Sequence, residues 1–421
     1  MRTDKEFLEA LGSIIAIDSV AGIDASKEYP FGKKSGEALE KTLEICKSLG
    51  MRTVNRDGMV GWAEIGEGEE MVGILGHLDV VPAGEGWKYP PYEMTEEGDR
   101  IYGRGVTDDK GPVMASIFAM ADLLEEKVPL KRRVRIIFGQ SEESGEWTDM
   151  NWYKEHEELP VFGFTPDADF PAIYGEKGIL CFELKIPVEK LEIEAIEGGD
   201  ASNVVPSWCR AQVKGISYET TGKAAHASTP EEGKNAISEM MKQLAEVCPG
   251  DPLVGFYNKY IGSSLHGEQM GCALKDDKSG LLTMNAGTVR VKDGFLVMEI
   301  DVRNPVTHKT EEVLQPVKAA AEEFGFSVKL TEDSAPVYMD KEGKVIQKLL
   351  EVYRNAVDDM SEPAVIGGGT YARAMENIVA FGPMIPGREL TEHMPNEYIL
   401  KEDLFLIRRI YREAILQLAN L

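Results

Sequence analysis

The sequence predicts an α/β fold: a mixed, mostly parallel sheet flanked by helices, interrupted by an inserted α+β domain. Three observations predict it. Strand-like and helix-like segments alternate over roughly the first 170 residues, the pattern of a parallel sheet with covering helices. Between 179 and 335 the chain changes to closely spaced strands with few helices. After Pro336 the first character returns. A chain of 421 residues also exceeds one ordinary core. The expected division is therefore 1–178 and 336–421 as one domain built from both ends, with 179–335 inserted.

Taken in order, Lys5–Ile15 reads as a helix with Phe7, Leu8, Leu11 and Ile15 on one side. Ser35–Leu49 reads as a second, with Leu39, Leu43 and Cys46 on one face. Met59–Ile65 and Met71–Leu75 are short apolar runs bounded by glycine and charge, which is strand-like. The second ends in Gly76-His77-Leu78-Asp79. A glycine-rich loop, Tyr102 to Pro112, precedes an amphipathic helix with Val113, Ile117, Met120 and Leu124 in one stripe. Pro112 suits the first helical turn and Asp109 suits the cap. Val134–Phe138 reads as another buried strand, ending in Gly139-Gln140-Ser141-Glu142-Glu143. In the insertion, Gly178–Ile186, Trp208–Thr220, Leu282–Lys292 and Phe295–Val302 read as strands, with Lys234–Val247 and Thr310–Phe324 as helices. Lys292-Asp293-Gly294 is a hairpin turn. Val345–Asn355 and Glu402–Asn420 are helical, and Ile378–Gly382 is a strand.

Composition narrows the function. The chain carries 46 basic and 72 acidic residues, a net charge of −26, which argues against nucleic acid as a partner. No apolar run is long enough to span a membrane. The N-terminus lacks the apolar segment of a secretory signal, and the five cysteines are scattered without a C-x-x-C, so a reduced, cytoplasmic protein is expected.

The chemistry-bearing residues fall at strand ends and loops, where ligands bind in open α/β sheets. His77 and Asp79 sit two apart at a strand end; a metal-binding histidine commonly gives its second ring N–H to a carboxylate. Asp108 lies just before a helix N-terminus, suited to bridging two metal ions. Glu142 and Glu143 are adjacent acids, one suited to metal and one to general-base work on water. Asp167 and Asp169 flank Ala168 after a proline, and either can be a ligand. His393 lies in a late loop, Leu390 to Glu397. His226, among small residues in the insertion, can stabilise an oxyanion. Gly367-Gly368-Gly369-Thr370 can bind a carboxylate through backbone N–H groups, as a nest. Any one of these alone reads more simply as an ordinary surface or turn residue. Their order along one chain makes a five-ligand set for two metals.

That order resembles the dinuclear zinc metallopeptidases that include aminoacylase, acetylornithine deacetylase, succinyl-diaminopimelate desuccinylase and carboxypeptidase G. The likeness is strongest to their bacterial dipeptidase V branch, through Thr165–Pro171, Tyr174–Gly178, Asn203–Pro206 and Gly368–Arg373. The resemblance implies that His77 and Asp167 hold one metal, Glu143 and His393 the other, and Asp108 bridges them. It implies Asp79 as the residue orienting His77, Glu142 as general base and His226, from a lid domain, at the oxyanion. Asn203, Arg303, Gly368, Gly369 and Thr370 would hold the substrate's carboxylate, and a cis peptide would follow Asp108. The implied cofactors are two divalent ions, zinc foremost, with manganese or cobalt also suited to N/O ligands. The implied substrate is a dipeptide with a free N-terminus, hydrolysed by a monomer or homodimer. An N-acyl-amino-acid deacylase is the enzymatic alternative, and a non-catalytic metal- or peptide-binding protein is the other.

Overall fold

In the computed structural model, which describes residues 2–421, the strand Met71–His77 is buried along its whole length. It lies between Arg133–Gly139 and Phe162–Thr165, both parallel to it, and Phe162–Thr165 in turn pairs in parallel with Ile378–Ala380. Continuous Val/Ile/Leu runs are what a sheet covered on both faces requires. The flanks are antiparallel. On one side Val60–Ile65 pairs with Arg133–Gly139 and Arg52–Arg56 pairs with Val60–Ile65. On the other, Ile173 pairs with Ala380. The register sets His77 beside Gly139, and Phe164 beside Ile74. Strand ends that carry His77, Glu142 and Asp167 therefore share one edge of the sheet.

The helix Lys110–Glu125 corrects the expected amphipathic stripe. All its residues from Lys110 to Leu123 are buried, because it packs on Met71–His77 and beneath the helices Asp4–Ile15 and Lys401–Ala419. Phe7 and Phe118 meet at 5.1 Å between ring centroids, and Arg408 forks onto Asp122 at 2.8–3.1 Å. A helix covered on all sides is apolar all round. Asp109 occupies the cap position but makes no capping hydrogen bond; its Oδ2 accepts the His77 backbone N–H at 3.2 Å.

The chain divides into two compact units: residues up to Tyr174 with Met339–Ala364 and Thr370–Leu421, and Gly175–Tyr338 with Val365–Gly369. Residues 365–369, expected with the first, belong to the second. In that second unit seven antiparallel strands run in the order Ile216–Thr221, Trp208–Val213, Ile193–Gly198, Thr283–Lys292, Phe295–Asn304, Gly178–Pro187, Ser327–Ser334. Their apolar side chains pack with the helices Ala236–Val247, Pro252–Tyr260 and Thr310–Glu323 in one core. The expected single strand Trp208–Thr220 is a hairpin, broken where Lys214 and Gly215 take φ of 52° and 74°. Asp293 and Gly294 turn in the same way, at 54° and 80°. Both are the left-handed pair that a two-residue hairpin turn needs.

Candidate metal centre

Parallel strands deliver three side-chain groups to one edge, and two loops close over them. His77 ends the central strand and is fully buried. Its Nε2 lies 2.9 Å from Asp108 Oδ1 and 3.7 Å from Asp167 Oδ2. The other oxygen of Asp108, Oδ2, lies 2.9 Å from His393 Nε2. His393 Nε2 also lies 3.1 Å from Glu143 Oε2. Asp108 thus offers one oxygen to each imidazole. The Asp108–Asp109 peptide is cis. His393 sits at φ 62°, a conformation that a β-carbon makes costly and that clusters at functional sites.

Glu142 joins His77 and Asp167 in one group of ligand-type atoms, and Glu143 joins His77 and Asp108 in another, each within 4.8 Å. The chain brings Asp167 to this cluster. Asp169 instead pairs its backbone with Met384 and is exposed.

Asp79 has a different geometry from the simple His–carboxylate pair. His77 Nδ1 is 2.9 Å from the Asp79 backbone carbonyl and 3.5 Å from its carboxylate. The carboxylate accepts the backbone N–H groups of Glu142 and Glu143, at 3.3 and 3.0 Å. One residue therefore fixes the His77 ring and the paired glutamates together. Behind that pair, Asp149 accepts from Ser141 N–H at 3.0 Å, Ser141 Oγ at 2.9 Å and Tyr371 Oη at 2.7 Å. Gly139 leaves room for this, since a β-carbon there would meet Tyr371 Oη at 2.3 Å.

The electrostatics test whether cations fit. Burial, and then repulsion from Asp108, pushes Asp167 well above the usual carboxylate range. Burial and then Asp167 do the same to Glu142, and burial and Asp108 raise Glu143. Burial would also raise Asp108, but hydrogen bonds with His393 and His77 win and hold it far below. Hydrogen bonds to Asp108 and Glu143 push His393 up to about 11. Every one of these acids but Asp108 draws protons, as do both imidazoles, so the cluster is short of positive charge. Divalent cations held by these N and O atoms would supply it, and the cluster has no thiolate to favour a softer metal. The donor set fits.

Three residues that sequence reasoning passed over support the centre. Glu397 is a fully buried carboxylate gripping the Asp108 loop, and Arg104 pairs with it at 2.8 Å. Tyr371 is the third. Glu397 and Tyr371 stand inside quoted segments, yet neither residue type signals a buried anchor by itself.

The second unit gathers its own group of expected residues. Val204 bridges to His226, and Asn203 accepts the Ala227 N–H at 2.9 Å. His226 Nδ1 lies 2.7 Å from Ser228 Oγ, and Gly367 packs on Ser228 so closely that a β-carbon would sit 2.4 Å from its Cβ. Arg303 is buried and forked onto Asp301 at 2.7 Å through Nε and Nη2, while Nη1 donates to Gly367 O at 2.8 Å. Arg303 therefore holds the Gly367 segment in place. None of Gly367, Gly368 and Gly369 takes a left-handed φ, so an alternating anion nest is not formed there. Thr370 belongs to the first unit, where its hydroxyl caps Ala372 at 3.1 Å.

The model of peptidase family M20/M25/M40 matches residues 73–417. The chain belongs to that family. A protein of Staphylococcus aureus (strain USA300), named by inference as a dipeptidase, is 35% identical over 457 aligned residues, covering 99% of this chain and 97% of that one. Among solved structures, human carnosine dipeptidase 1 shares the fold with a TM-score of 0.62 at 17% identity, covering 99% of this chain and 97% of that one. A dinuclear metal binding peptidase of Bacillus subtilis shares it at 0.57 and 13%, covering 99% of each chain. As a member of this family the chain is a hydrolase acting on peptide bonds.

Proposed function

We propose that the protein is a metal-dependent dipeptidase that cleaves the peptide bond of dipeptides with a free N-terminus. The observation that carries the reading is Asp108, with one oxygen 2.9 Å from His77 and the other 2.9 Å from His393. His77 and Asp167 would hold one divalent ion, His393 and Glu143 the other, and Asp108 both. Zinc suits the set, as do manganese and cobalt. When bound, two such ions supply Lewis acidity and lower the pKa of water. The 35% identity to the inferred staphylococcal dipeptidase supports a dipeptide substrate.

Glu142 takes a proton from the attacking water and hands it to the leaving amine. Its place beside His77 and Asp167 puts a carboxylate within reach of a water at the centre. Asp79 keeps that glutamate in place through its backbone and keeps the His77 ring turned. His226 donates to the oxyanion of the tetrahedral state. Asn203 receives the substrate's carboxylate, and Arg303 holds the neighbouring Gly367 segment through its bond to Gly367 O.

The deciding experiment compares a free dipeptide with its N-acetylated analogue, on protein loaded with zinc and with manganese. Faster hydrolysis of the free dipeptide is the expected result. A preference for the acetylated compound makes the protein a deacylase. No turnover of either, with less than one metal bound, makes it a binding protein.

A further inference from the structure

The carboxylate of Glu397 is fully buried. Taking a carboxylate out of water costs several kcal/mol unless hydrogen bonds replace the water. Here every replacement comes from one loop. Gly105 N–H donates to both oxygens at 3.1 Å, Thr107 N–H to Oε1 at 2.9 Å, and Asp108 N–H to Oε1 at 3.3 Å. Arg104 Nη1 donates to Oε2 at 2.8 Å. The main chain reinforces the grip: Gly103 N–H donates to Glu397 O at 3.1 Å, and Thr107 Oγ1 to Tyr398 O at 3.1 Å. Residues 103–108 are thus folded around a single side chain, and Gly105, at φ 90°, allows the bend.

Glu397 lies four residues after His393. The same segment therefore reaches Asp108 twice, from the imidazole to its carboxylate and from Glu397 to its backbone. We propose that Glu397 is a positioning residue that sets where Asp108 stands between His77 and His393, and so sets the metal affinity of the centre. This rests on the dinuclear reading above. Its strength comes from direction: Glu397 touches the backbone of Asp108 and not the metal-facing oxygens. Glutamine has the same shape but only one acceptor oxygen. Its NH2 group would face the N–H of Gly105 or Arg104, donor against donor, and the loop would have to move. Groups that orient metal ligands in this way change metal affinity by about 10–100-fold when altered.

The test is a zinc titration of the metal-free full chain against a competing chelator, for the parent, Glu397→Gln and Arg408→Met. Arg408 pairs with Asp122 in the last turn of Lys110–Glu125, at the opposite end of that helix from Asp108, so its variant reports lost stability alone. The expected result is two zinc equivalents for the parent and unchanged affinity for Arg408→Met. Glu397→Gln should bind about 10–100-fold more weakly, with kcat recovered in excess zinc. Equal affinity of Glu397→Gln and parent overturns the proposal while leaving the dinuclear reading standing. A parent that binds no zinc overturns both. Should Glu397→Gln fail to fold, Arg104→Met removes the Nη1 bond to Glu397 Oε2 and loosens the grip of that carboxylate on the loop. A weaker zinc affinity in that variant sustains the proposal, and an unchanged one overturns it.

Discussion

Asp108 has to face two ways at once, and the residues around it divide that task. His77 and His393 receive its two oxygens, and Glu397 holds its backbone. Glu142 stands beside this arrangement without being part of its scaffold, since Asp79 holds Glu142 by the backbone N–H. Replacing Glu142 by alanine should therefore leave the ligands in place. The expected outcome is two metals still bound per chain and a kcat lower by about 10²–10⁴-fold, the usual worth of general acid–base catalysis. Metal analysis and turnover on one preparation check this, and a fully active variant would end the general-base assignment. At this scale the legible residues were those with restricted chemistry. Only six histidines occur, so two at loop and strand ends stood out. Glu397 did not, because one glutamate among 72 acids carries no signal until its hydrogen bonds are seen.

The elements show the same division between pattern and context. Strands such as Met71–His77 were legible because full burial writes itself as a continuous apolar run. The hairpin at Lys214-Gly215 was missed because apolar and polar residues alternate on both sides of it and only φ marks the turn. The helix Lys110–Glu125 was legible as a helix but not as a buried one, since its covering helices come from the two chain ends. That packing makes a prediction. Arg408 is 8% and Asp122 1% exposed in their side chains, and the pair joins Lys401–Ala419 to the helix that follows Asp108. Arg408→Met leaves Asp122 buried with only the Arg2 N–H, at 2.7 Å, besides its own helix. The expected cost is about 3–5 kcal/mol in denaturant unfolding. Adding Asp122→Asn should recover part of it, because a neutral side chain tolerates burial better. No recovery would mean that the loss is packing of the guanidinium stem on Phe7 and Phe118.

At the scale of the whole chain, the proposed site residues are divided between two units. His77, Asp108, Glu143, Asp167 and His393 all belong to the first, while His226, Asn203 and Arg303 belong to the second. The expectation of an insertion at 179–335 rested on what was legible, a change of strand spacing. The return of residues 365–369 to the second unit was not, because five residues are too few to carry a composition of their own. The split also separates two functions that a single mutation can report on. If His226 acts only on the oxyanion, its loss must leave the ligand set untouched. His226→Ala should then bind zinc with parental affinity and stoichiometry. Its kcat should fall by about 10²–10³-fold, the range for removing one oxyanion donor, with a smaller change in KM. The measurement is a zinc titration beside steady-state kinetics on a free dipeptide. Weakened zinc binding would make His226 part of the metal centre. Unchanged kcat would assign oxyanion stabilisation to the first unit alone, and the second unit would then serve only to hold the substrate's carboxylate.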